Sequence, residues 1–156
     1  MNNWATILLF CFFILKCFLS VGQTHNIDSL KTKISGETNE RKKLEALINL
    51  CEYHHSIHKD SLYLYALSAK TLAASSGTDL TKSLAEIIFI NALLRHGKTD
   101  SASALIEACL KKNTVSNPAT RNIYFKLAAL KVDCFGDASN YKDALSELYR
   151  IISEAE

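Results

Sequence analysis

Proline is nearly missing from this chain, with Pro118 alone, and glycine occurs only five times in 156 residues. Strand-rich folds need frequent breaks, so this scarcity of breakers directs the reading toward helices joined by short connections. An excess of one charge is missing too. Lys and Arg number 18 against 16 Asp and Glu, and the densest basic run is Arg41-Lys42-Lys43. Nucleic-acid binding needs a basic face that releases counterions, and none is written here. The glycines stand singly, so no phosphate-cradling loop exists, and no serine sits in a nucleophile elbow. Glu45, Glu52, Glu86 and Glu107 fall on helix faces beside lysines and arginines, the pattern of solvated surface. The expectation is a protein that is not an enzyme and uses no cofactor.

The one long apolar run, Trp4 to Leu15, opens the chain; Lys16 breaks it and Phe18-Leu19 resume it. An uninterrupted core of about 12 residues is short for a bilayer of roughly 30 Å. Ser20-Val21-Gly22 supplies small residues where a signal peptidase reads, so residues 1–22 read as a cleaved signal peptide. An uncleaved anchor and a cytosolic protein are the competing readings, since Met1-Asn2-Asn3 lacks the usual basic side chains. A lipoprotein reading of Cys17 fails because Lys16 precedes it. Cleavage removes one lysine, lowers the formal net charge to +1, and leaves Cys51, Cys109 and Cys134. Three cysteines without short spacings form neither a disulfide framework nor a zinc set, and read as small core residues. In an oxidising compartment one pair could still close.

Apolar spacing marks seven helices. Ile27, Leu30 and Ile34 outline a short first one inside a lead-in over residues 23–38. Leu44, Leu47, Ile48 and Cys51 mark the second. Leu62, Ala66, Ala69 and Ala73 mark the third, with Lys59-Asp60-Ser61 expected to supply its N-cap. The segment Leu84–Leu94 is apolar nearly all round, as in the middle of a stack. Ala102, Leu105, Ile106 and Cys109 mark the fifth helix. Asn117-Pro118 reads as cap plus first residue of a sixth carrying Phe125, Ala128, Val132 and Phe135. Ala144, Leu145, Leu148 and Ile152 mark the seventh. Gly36, Gly77, Gly97 and Gly136 fall at expected helix ends, where a left-handed cap favours glycine. The fold class is all-α.

A period runs through this pattern. Leu50-x-x-Tyr53, Ile90-x-x-Leu93 and Val132-x-x-Phe135 each precede a second-helix triplet spaced four then three. Those triplets are Leu62-Ala66-Ala69, Ala102-Ile106-Cys109 and Ala144-Leu148-Ile151. A hairpin of two such helices cannot bury both faces alone, so neighbours must stack. With Tyr53 at an aromatic position, small Ala102 and Ala144 at helix crossings, and the turns Gly97–Ala102 and Asn140–Leu145, residues 40–153 resemble the tetratricopeptide repeat family. The departures are Leu50, Ile90 and Val132 in place of its first-helix glycine, the absence of repeat-ending prolines, and units longer than 34 residues.

The resemblance implies antiparallel helix hairpins stacked as a short solenoid over 39–156, with a protein or peptide partner held in a groove lined by the first helices. Its groove positions fall on His54, Asn91, Arg95, Lys126 and Asp133. Asn91 interrupts an apolar run, so its amide bonds either a ligand backbone or a neighbouring helix. Arg95 is expected on a ligand carboxylate or on a glutamate within the repeats. An export signal, the opening Ile27-Asp28-Ser29-Leu30-Lys31 and long degenerate repeats are similar to extracytoplasmic sensor regions of bacterial signalling proteins. That similarity implies a periplasmic or secreted location. Membrane attachment follows only if the N-terminal segment stays or a C-terminal part is missing. Because the chain stops at Glu156 inside a helical pattern, a fragment of a sensor is expected; a small self-associating exported protein is the alternative. His54-His55-x-x-His58 could offer two metal ligands four apart, but without a third it reads as a polar helix end.

Overall fold

The structure is a computed structural model that describes residues 27–53 and 57–155; the signal-peptide reading of residues 1–22 and groove candidate His54 lie outside them. Every described regular element is a helix: α1 over 27–36, α2 Glu40–Glu52, α3 Lys59–Ser76, α4 Asp79–Arg95, α5 Thr99–Leu110, α6 Arg121–Asp137 and α7 Tyr141–Ala155. None of these helices is long and apolar enough to cross a membrane.

Local chemistry sets the ends. The Asn39 side chain accepts from the Lys42 N–H at 3.1 Å and starts α2, and Thr78 does the same for α4 through the Thr81 N–H at 3.3 Å. Two expected caps are displaced. The α3 cap is His58 and contributes no side-chain hydrogen bond, while Asp60 sits in the first turn, where its charge suits the helix dipole. Asn117-Pro118 lies in a separate turn: the Asn117 side chain accepts from the Ala119 N–H, its carbonyl accepts from the Thr120 and Arg121 N–H groups, and α6 starts only at Arg121.

The glycines divide differently from expectation. Gly97 has φ of 68° and closes α4 with two reversed bonds, Lys98 N–H to the Leu93 carbonyl and Gly97 N–H to the Leu94 carbonyl. Forty-two residues on, Ser139 at φ 57° closes α6 with the same pair of bonds, Asn140 to Phe135 and Ser139 to Gly136. Gly136 is inside α6, and Gly36 is the last residue of α1. Gly77 is extended; its need for glycine is space, since a Cβ there would lie 2.5 Å from the Ala73 carbonyl oxygen.

Short connections make consecutive helices antiparallel, and each packs on the next from α2 to α7. The first helices of the hairpins, α2, α4 and α6, also touch one another and form a continuous layer. This is a solenoid-like stack. Leu62, Ala66 and Ala69 are fully buried, so small side chains let α3 lie close to its neighbours. α4 is the shared wall. Ala85, Ile88 and Ala92 join a cluster with α1, α2 and α3, whereas Ile87, Ile90 and Leu93 join one with α5 and α6. α1 closes the first cluster with Ile27 and Ile34. Cys51, Cys109 and Cys134 are buried free thiols, as core residues should be, and none is paired.

Candidate groove on the layer of first helices

The layer formed by α2, α4 and α6 carries two adjoining clefts that meet at Asn91. The first, of about 340 Å³, has an apolar floor from Ile48, Ile87, Ile88 and Leu130, with Glu52 and Lys126 on its rims. The second, of about 510 Å³, runs past Leu94 and Val132 to Arg95, Asp133 and Asp137. The four groove candidates that are described, Asn91, Arg95, Lys126 and Asp133, therefore share one surface.

Helix periodicity explains the grouping. Asn91 and Arg95 are one turn apart on α4, and Asp133 and Asp137 one turn apart on α6. Asn91 is half-buried, and among the described residues its amide has no hydrogen-bond partner. The residue lines both clefts. Arg95 behaves differently: its Nη1 donates to the Ile57 carbonyl at 3.2 Å, tying α4 to the turn before α3. The guanidinium thus works partly inside the fold, on a backbone carbonyl.

Burial, and then the charge of Asp137 one turn away, push the Asp133 carboxyl above its ordinary range. Two carboxylates on one face repel, and a cation between them would relieve that repulsion. Lys126 and Glu52 are exposed on opposite rims without an ion pair to each other. The groove is accordingly apolar at one end, amide-bearing in the middle and acidic at the other. Sequence reading missed Glu52 and Asp137. Asp137 was findable, because it follows Asp133 by four on an established helix; Glu52 carries no such signal.

Two other clusters are structural. Buried Glu147 is held by Arg150, which also meets Glu154 at 2.8 Å and the Tyr124 hydroxyl, while Lys131 links Glu107 at 2.7 Å to Glu147 at 3.9 Å. Hydrogen bonding from Arg150 keeps the Glu147 carboxyl below its ordinary value despite burial. This network pins α7 to α6 and, through Lys131, reaches Glu107 of α5. Burial pushes the Cys51 and Cys109 thiols up to about 12, and Cys109 also donates to Glu86 at 3.0 Å. Such thiols are poor nucleophiles. His58 is exposed beside Asp60 at 3.5 Å, and no group of metal-ligating side chains occurs among the described residues. In comparisons with known proteins, no family model, curated protein or solved structure matches this chain.

Proposed function

We propose that this chain is a non-catalytic scaffold of tetratricopeptide type that holds a segment of another protein along its α2–α4–α6 groove. The occupant is a peptide with an apolar side chain followed by Lys or Arg. The observation that carries this reading is the unpartnered Asn91 amide between an apolar cleft and the Asp133–Asp137 pair. An extended peptide exposes a backbone N–H and C=O that an amide can bond together, while the acidic pair receives the basic side chain. The apolar N-terminal run followed by Ser20-Val21-Gly22 supports export, and a sensory role outside the cytoplasm accords with it.

A displayed library of random twelve-residue peptides tests the proposal, with enriched sequences then measured by calorimetry. Enriched peptides should combine an apolar residue with Lys or Arg. Asp133→Lys with Asp137→Lys should weaken them at least tenfold, and Asn91→Leu severalfold. Enrichment of nothing, or binding indifferent to those substitutions, would sink the groove reading.

A further inference from the structure

Nine large hydrophobic side chains are exposed among the described residues, and five of them sit on α7: Tyr141, Leu145, Leu148, Tyr149 and Ile152. The other four are spread over other parts of the fold. At 100° per residue the five fall within one arc of about 100°, beside the face that α7 turns to α6. The repeat explains what that arc is. Shifted by 42 residues, Leu148 matches Ile106 and Ile152 matches Leu110, which α5 packs into the cluster it shares with α6. Ile106 is 0% exposed and Leu148 is 43% exposed. Leu148 and Ile152 therefore stand at the positions of a helix-packing face, Tyr141, Leu145 and Tyr149 widen it, and no described residue covers the arc.

We propose that α7 docks antiparallel on α7 of a second copy of this chain, about a two-fold axis passing between Leu148 and Tyr149. This proposal is independent of the groove. Three observations select the occupant. The opposite end of the stack is closed by Ile27 and Ile34 of α1, so among the described residues a head-to-tail copy finds no matching open face there. With each exposed Tyr offering about 150 Å², the arc presents roughly 600 Å² per copy, so a pair buries roughly 1,200 Å², inside the range of specific dimers. In this register Leu145 meets Ile152 of the second copy. Leu148 then meets Tyr149 of the second copy, so exposed apolar side chains face each other across the axis.

Sedimentation equilibrium on the chain as cells produce it, across a hundredfold range of concentration, provides the test. Wild type should be a dimer. Leu145→Lys and Ile152→Glu should each weaken dimerisation at least tenfold; both positions are more than half exposed, so the helical circular dichroism should survive. Mixing the two variants should restore a dimer, because the introduced lysine of one copy then faces the introduced glutamate of the other while the second contact stays apolar. A monomeric wild type would overturn the proposal and leave the arc to another segment of the chain or to a different protein. Open-ended oligomers, association unaffected by either variant, or a mixture that stays monomeric would overturn it equally.

Discussion

The helices α5 and α7 hold the same place in successive hairpins, yet one is enclosed and the other half open. The triplet Ala102, Ile106 and Cys109 is at most 3% exposed; its counterparts are Ala144 at 8%, Leu148 at 43% and a half-buried Ile151. The spacing of the triplet is the same in both, so spacing alone does not decide burial; what packs on the helix does. α5 has α6 on its open side. α7 has instead a charged clasp, Tyr124, Glu147, Arg150 and Glu154, fixing its inner side.

The sharpest way to break the comparison is to truncate the matched residues. Ile106→Ala should cost about 3–4 kcal/mol, a transfer loss plus a cavity, and Leu148→Ala about 1 kcal/mol or less in dilute monomer. Urea denaturation reads both, and equal losses would mean that α7 is covered in solution. Next comes the clasp. Arg150→Ala leaves Glu147 buried without its guanidinium and should cost about 2 kcal/mol, held to that size by the partial exposure of Arg150. The same clasp has a pH signature. The Glu147 carboxyl is depressed below 4.5 in the fold, so an unfolded chain takes up that proton first on acidification. Its stabilisation is complete above about pH 4.5 and is lost as pH falls through the lower folded value. Glu147→Gln should flatten that part of the stability profile, measured by melting temperature between pH 3 and 6. The smallest effect separates the two matching turns. Gly97→Ala should cost about 1 kcal/mol, because only the left-handed backbone opposes it, whereas Ser139→Gly should stabilise by about 0.5–1 kcal/mol.

Most of the architecture was legible because burial in a stack imposes strong periodicity. The residues Ile87 to Leu94 signalled a helix packed on two sides, and α4 is that helix. Helix ends were less legible. A Ser or Gly in a boundary position is a preference worth about 1 kcal/mol, and tertiary packing readily overrides it. Hence Ser139 adopts the conformation expected of Gly136, and Gly77 answers to the Ala73 carbonyl instead of to a left-handed turn. For the groove, repeat register was enough to bring Asn91, Arg95, Lys126 and Asp133 to one surface. The bond from Arg95 to the Ile57 carbonyl was not readable, because that carbonyl is a backbone group 38 residues away. The α7 clasp does leave a trace in the sequence: Glu147 occupies the apolar position of Leu105, with Arg150 three residues on.

The double membership of α4 has a consequence for how the molecule comes apart. One helix donates Ala85, Ile88 and Ala92 to the first cluster and Ile87, Ile90 and Leu93 to the second. Neither half can melt while the other keeps its wall, because unwinding α4 strips both at once. Repeat arrays held by independent neighbours can unzip from an end in steps, but α2 to α6 should lose structure as one cooperative unit. Tryptophan reporters at Tyr53 and Phe125, on opposite sides of α4, would then trace a single superimposable transition.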